Sequence, residues 1–255
     1  MTDHNKVNVL GVGINPISMN DALQALSIWI RSHHPTYVCV TPAHSIMDAY
    51  HDTEFRRILN SSGLTTPDGM SVAWILRFHG YKNVERVPGS ALMLNTCQFG
   101  LQHHWRHFFY GGGAGVAEQL ANRLIATYPD LRVGGTYTPP FRALTTEEDE
   151  SIIEAINNSD ADIVWIGLSS PKQERWMIEH LGRIHAPVMI GVGAAFDFVS
   201  GNKPRAPRFM QQIGLEWLFR LASEPRRLWP RYRQYPHFAW LVLLQLLGLK
   251  QFPIE

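Results

Sequence analysis

The chain has 255 residues, 45% hydrophobic and 18% charged, a make-up that fits a folded globular protein and excludes a disordered or fibrous one. Its formal net charge of +1 gives no overall pull towards nucleic acid, so no nucleic-acid partner is expected. The charge is uneven, however. Residues 203–233 hold eight Lys or Arg against two acids, Glu216 and Glu224, and most of the eight are arginines, which fork onto phosphate and carboxylate as lysine cannot.

In chain order, the opening "MTDHNKVNVL" lacks the charged-then-apolar layout of a secretory signal, so a cytoplasmic location is expected. Short β-rich runs then alternate with helical spacing. The strand-like runs are "VNVLGV", "YVCVT", "LTTPD", "HFFYG", "LRVGGTY", "DIVWIGL" and "PVMIGVG". The helical stretches include "MNDALQALSIWIRS", "MSVAWILRFHG", "GVAEQLANRLIATYP" and "TEEDESIIEAINNS", the last with Thr145 or Thr146 as N-cap and carboxylates in the first turn. Several strands are nearly continuous apolar runs, as a sheet covered on both faces requires. The alternation predicts an α/β, Rossmann-like fold with a largely parallel sheet flanked by helices. Cys39 and Cys97 read as small core residues of a protein in a reducing compartment.

Beyond about residue 201 the strand-like runs stop, and Pro225, Pro230 and Pro236 punctuate an Arg- and Trp-rich helical segment. We therefore divide the chain into an α/β catalytic core, residues 1–201, and a basic helical appendage, residues 202–255. Its "FAWLVLLQLLGL" is too short to span a bilayer and suits packing or lying in a membrane surface. Arg226, Arg227, Arg231 and Arg233 beside Trp229, Tyr232 and Tyr235 favour an anionic membrane face, with an oligomer interface as the alternative.

Several sites offer chemistry. "FFYGGGAGV" places Gly111, Gly112 and Gly113 after a strand, but neither the G-x-G-x-x-G spacing nor GK[ST] is present. Those glycines admit a ligand phosphate or a neighbouring helix, and both readings stay open. Asp160 and Asp162 form a D-x-D but precede their strand, whereas ligands of parallel sheets sit beyond the carboxyl ends, so the pair reads as structural. His103 and His107 are four apart with no third ligand, and also read as structural. Asp68 follows a strand end between Pro67 and Gly69, as a catalytic carboxylate or as an N-cap. Thr41 and His44 follow another strand end. In "GLSSPKQERWM", Pro171 suits the first helical position, and the free N–H groups of that turn, with Lys172, can receive an anion. Gln173 can bond a hydroxylated ligand, and Glu174 can cap backbone. Asp197, Gly201, Lys203 and Arg205 follow the last strand. Polar groups leaving several strand ends are expected to converge on one rim.

These motifs carry a resemblance. "TPDGMSVAW", "RVPGSALM", "FFYGGGAGVAEQLA", "GLSSPKQERWM" and the long string from "IGVGAAFDFVSGNKPRAP" to "RRLWPRY" resemble the WecG/TagA/CpsF family of bacterial glycosyltransferases over nearly the whole chain. The resemblance implies inverting transfer of a hexosyl unit, of N-acetylmannosamine, its uronic acid or glucose type, from a UDP-sugar to a polyprenyl-diphosphate-linked saccharide. It implies no metal or other cofactor, and a peripheral place on the inner face of the cell membrane. By motif, Asp68 resembles the general base, with Thr41 and Gln173 as neighbours that orient donor and acceptor. Asp197 and Tyr137 resemble nucleotide contacts, and Gly111, Gly112 and Gly113 allow close approach to the nucleotide. Arg205, Arg208, Arg220, Arg227 and Arg231 are expected to face diphosphate charge, as Lys172 is from its helix start. One departure stands out: the family's T-x-N reads Thr41-Pro42-Ala43 here, and His44 is expected to replace the missing Asn as a hydroxyl contact. The alternative reading is a non-catalytic protein that binds a sugar nucleotide or lipid headgroup.

Overall fold

The structure, a computed structural model, describes residues 6–254. The absence of a signal layout therefore concerns a stretch whose first five residues lie outside the described residues. In chain order the elements begin with strands β1 (Val7–Val9) and β2 (Val12–Ile14), helix α1 (Met19–Ser32), β3 (Thr36–Thr41), α2 (Ala43–His51) and α3 (Thr53–Asn60). There follow β4 (Leu64–Pro67), α4 (Met70–Phe78), α5 (Gly89–Gly100), β5 (Arg106–Gly111), α6 (Val116–Thr127) and β6 (Arg132–Tyr137). Next come α7 (Thr146–Asn158), β7 (Ile163–Gly167), α8 (Lys172–His180), β8 (Val188–Gly191) and α9 (Ala195–Ser200). The last helices are α10 (Arg208–Gln212), α11 (Glu216–Ser223), α12 (Pro225–Tyr232) and α13 (Tyr235–Leu246).

The chain divides into two compact units, one of Met1–Ser18, Val40–Pro88 and Arg205–Glu255, the other of Met19–Cys39 and Gly89–Pro204. The helices after Arg205 thus share a unit with two earlier stretches of the chain.

The second unit is the α/β layer structure expected of the sequence. Its strands run β3-β8-β7-β5-β6, and every one of these pairings is parallel. The apolar runs are buried on both faces: Val38, Phe109, Trp165 and Ile190 are fully enclosed. Helix α1 packs on α5 and β8, α6 packs on α9 and β5, and α7 lies against β6. Helix α7 begins with a capping box, in which the Thr145 hydroxyl accepts from the Glu148 N–H while the Glu148 carboxylate accepts from the Thr145 N–H.

The first unit differs from the expectation at its start. "VNVLGV" is not one strand but part of an antiparallel hairpin, β1 with β2. The two loop residues Leu10 and Gly11 both have positive φ, 53° and 87°, the backbone of a tight two-residue turn that matches strand twist. The Gln245 side chain of α13 ties down this hairpin, accepting from the Leu10 N–H at 3.0 Å and donating to the Asn8 carbonyl at 3.0 Å. Strand β4 is held by Asn15, whose side chain accepts from the Thr65 N–H at 2.7 Å. Pro230 also departs from the expectation, lying inside α12 rather than ending it; Pro225 opens α12 and Pro236 lies in the first turn of α13. No helix among the described residues is long and apolar enough to cross a membrane.

Candidate active site

In the first unit, β3 and β4 end side by side, and the Asp68 N–H donates to the Thr41 carbonyl at 3.2 Å. Gly69 follows with φ 104°, a conformation that only glycine adopts without strain, and it occupies the N-cap of α4 with no side-chain capping bond. The Asp68 carboxylate therefore does not cap that helix. It is instead turned towards charge: Asp68 Oδ1 lies 3.8 Å from the Arg86 guanidinium, which in turn bonds the Glu216 carboxylate. Arg220 and Arg205 also act on Asp68 through space. Burial nevertheless dominates and, helped by the Glu216 charge, holds the Asp68 carboxyl above its ordinary value against the pull of Arg86, Arg220 and Arg205. A carboxylate of raised basicity, aimed into an arginine cluster and still 26% exposed at its side chain, suits proton abstraction.

Around it the cluster is aromatic and cationic. His44, buried in α2, meets Tyr232 edge-on at 6.4 Å, and Tyr232 packs against Tyr235 and Trp217. Burial, with the charges of Arg231 and Arg220, pushes the His44 imidazole down to about 3, so the ring is neutral at physiological pH. Its Nδ1 has no hydrogen-bond partner among the described residues, and the same holds for Arg86 Nε and Arg205 Nε. Buried polar atoms left open in this way are costly unless something else bonds them. Of the other expected arginines, Arg208 acts on Arg205, whereas Arg227 is paired with Glu224 and exposed.

In the second unit, the carboxyl ends of β5, β6, β7 and β8 bring Gly111, Tyr137, Gly167 and Gly191 to one edge. The structure gives two of the glycines a packing reason. A Cβ on Gly111 would lie 2.7 Å from the Gly167 backbone, and one on Gly112 would lie 2.9 Å from Val116. Gly113 has only an ordinary neighbour at 3.6 Å. Tyr137 stacks on Tyr110 at 6.0 Å, and Tyr110 stacks on Trp176 at 4.5 Å.

Pro171 is the residue just before α8, one place earlier than the expected first helical position; Lys172 opens the helix and is exposed. Gln173 is buried against the end of β8, its Nε2 donating to Glu174 Oε1 at 2.9 Å. Gln173 Oε1 has no partner among the described residues. Glu174 is thus engaged by a side chain. Asp197 is paired with Lys203 at 2.9 Å.

The pairs set aside from sequence have plain structural roles. Asp162 Oδ2 accepts from the Arg106 N–H at 2.7 Å and Asp160 Oδ2 lies 3.4 Å from the Arg106 guanidinium, at the amino end of β7. His107 lies in β5 and accepts the Trp165 indole N–H at 3.0 Å, while His103 stacks on Trp105. Among the described residues no group of three or more His, Cys, Asp or Glu is placed to hold a metal ion.

Two members of the Asp68 cluster escaped sequence reasoning. Arg86 stands in "RVPGS" and Glu216 in "GLEW", stretches that carried the resemblance without a role for either residue. Tyr232 and Tyr235 were expected at a membrane face; the structure puts Tyr232 in the cluster, 5% exposed.

The second unit carries a parallel α/β layer with polar strand ends, and the first a carboxylate of raised pKa among arginines. The family model described as "Glycosyl transferase WecG/TagA/CpsF family" matches residues 7–252, and the chain belongs to that family. A curated relative from Bacillus subtilis (strain 168), N-acetylglucosaminyldiphosphoundecaprenol N-acetyl-beta-D-mannosaminyltransferase, is 28% identical over 204 residues, 80% of this chain and 77% of its own length. A protein of the same name from Staphylococcus aureus (strain MW2) is 24% identical over 241 residues, 93% of this chain and 92% of that one.

Proposed function

We propose that this glycosyltransferase moves a hexosyl unit from a UDP-sugar to a saccharide carried on a polyprenyl diphosphate, with inversion at the anomeric carbon. The acceptor class rests on the relatives, whose names specify a diphosphoundecaprenol-linked N-acetylglucosamine acceptor and an N-acetylmannosaminyl donor group. The observation that carries the chemistry is the Asp68 carboxylate, held basic by burial and Glu216 within reach of Arg86. In this reading Asp68 takes the proton of the acceptor hydroxyl as that oxygen forms its bond to the anomeric carbon and the bond to the UDP oxygen breaks. Thr41 and Gln173 orient the reactants. His44, neutral and with Nδ1 open, holds a sugar hydroxyl where the family pattern has Asn.

The charge that develops on the leaving diphosphate needs cations or N–H donors. Lys172 supplies a cation for the donor, whereas the Lys172 and Gln173 N–H groups, expected to be free, already donate to the Ser169 carbonyl. Tyr137, Asp197 and Gly111 to Gly113 are assigned to its nucleoside. Arg205, Arg208, Arg220, Arg227 and Arg231 are assigned to diphosphate on donor or acceptor. No metal or other cofactor is assigned. Residues 202–255 are proposed as the part that meets the inner membrane surface, supported by the exposed Trp229, Trp240, Leu247 and Leu249.

A screen of UDP-sugars against short-chain lipid-linked acceptors tests the reading, with the linkage of any product read by NMR. Asp68→Asn should lower transfer by about 10²–10⁴ with every donor that the parent uses. Full turnover by that variant would end the assignment of the base.

A further inference from the structure

Helix α13 is apolar on nearly all its faces, and Tyr235, Ala239, Val242 and Leu246 are spaced to fall on one of them, with Val242 buried and Ala239 exposed. A face of this kind in a soluble protein is normally covered by a neighbour. Here it forms one wall of an open groove of about 400 Å³, whose other wall is the Ser71 and Trp74 face of α4. That volume is in the range of small-molecule sites, roughly 300–1,000 Å³. The groove is lined almost wholly by apolar atoms, and three of its lining residues adjoin the charged cluster. Ser71 is three residues past Asp68, Ala43 adjoins His44, and Tyr235 lies within the electrostatic reach of Arg220, Arg231 and Asp68.

A ligand that fills both parts has an anionic head for the arginines and an unbroken hydrocarbon chain leaving directly from it. We propose that this groove binds the diphosphate-proximal isoprene units of a polyisoprenyl diphosphate. The inference rests on the proposed function, since it gives the acceptor's lipid its own subsite and makes chain length a determinant of acceptor choice. The open wall between α4 and α13, with Trp74 49% exposed, lets the rest of a longer chain pass outwards.

The test is calorimetric titration of the full chain with farnesyl diphosphate, geranyl diphosphate and inorganic diphosphate. Farnesyl diphosphate should bind at least tenfold more tightly than inorganic diphosphate, with geranyl diphosphate between them. Ala239→Trp and Ser71→Phe, at two exposed positions on opposite walls, should each remove that chain-length increment while inorganic diphosphate binds as before. Thermal melts show that the variants are folded, and two variants guard against the loss of either. Equal affinity for all three probes would overturn the proposal. So would farnesyl binding unchanged in both filled variants, or equal competition by dihexanoyl phosphatidylglycerol, which would make the occupant a bilayer acyl chain. A wild-type dimer that either variant splits, seen by sedimentation, would make it a second copy of the chain. The binding assay needs no sugar transfer. If Asp68 is not the base, farnesyl diphosphate still reports the groove; if the groove is wrong, transfer proceeds with no dependence on chain length.

Discussion

The rim of the second unit and the Asp68 cluster of the first are both rich in residues that attract functional suspicion, yet they are built on different principles. At the rim, glycines dominate, and much of their reason is packing: Gly111 lets two strand ends approach, and Gly167 makes room for Phe196, whose ring would lie 2.5 Å from a Cβ. In the Asp68 cluster the residues are charged and aromatic, and several polar atoms have no partner among the described residues. A backbone that comes very close to another backbone can be explained by the fold alone. Unpartnered buried atoms also occur elsewhere, at His107 Nε2 and Gln173 Oε1, so what marks the Asp68 cluster is that open atoms of His44, Arg86 and Arg205 gather around one carboxylate of raised pKa.

The contrast can be broken by substitution, and the largest effect is expected at Asp68. Loss of a general base typically costs about 10²–10⁴ in rate, so Asp68→Asn should lose that much transfer while staying folded. Its melting temperature at neutral pH should be no lower than the parent's. The sign follows from the raised pKa: burial favours the protonated carboxyl, so the stability linked to it is full below the ordinary aspartate range and lost as pH rises through the raised value. Activity runs the other way, falling as acid protonates the base. A destabilised Asn variant, measured by calorimetry at pH 7 to 8, would contradict the placement of Asp68.

Gly167→Ala sharpens the other side of the comparison. It forces a methyl into Phe196 and should cost on the order of 1–3 kcal/mol of stability. A denaturant titration measures this, and a variant as stable as the parent would contradict the packing reason given for Gly167.

His44→Ala should lower transfer by roughly tenfold, the scale of one hydrogen bond of about 1.4 kcal/mol, without moving the acid limb of the pH–rate profile. That limb belongs to Asp68, because His44 titrates only near 3. A parental rate would remove His44 from the site. His44 also adds a stability term of opposite sign to that of Asp68, present above the free histidine range and lost as pH falls towards 3.

The smallest effect is expected from Glu216→Gln. With the Glu216 charge gone, Arg86 is left to act on Asp68 alone, so the acid limb should move to lower pH. An unmoved limb, or one shifted to higher pH, would show that Glu216 does not set the basicity of Asp68.

Much of the fold was legible in advance. "MNDALQALSIWIRS" coincides with α1, and "DIVWIG" and "HFFYG" became buried parallel strands because nearly continuous apolar runs can only be accommodated where both faces are covered. The hairpin at Leu10 and Gly11 was missed because Leu is a poor signal for a residue with φ 53°. For the candidate site, Asp68 and His44 could be found as polar residues just past strand ends; Thr41, expected there too, is the last residue of β3 itself. Arg86 and Glu216 could not: a partner 130 positions away in the chain leaves no local pattern.

The sequence by itself determined the element types, the parallel α/β layer and the family, because hydrophobic period, capping and short motifs are local and survive in a one-dimensional string. The tertiary structure alone decided that Asp68 sits in an arginine and glutamate cluster, that Gly111 and Gly167 are spaced for each other, and that α13 and α4 line an apolar groove. Each of these depends on how far apart atoms are in space. A carboxyl's basicity and a glycine's necessity are set by neighbours that the chain brings in only once it has folded.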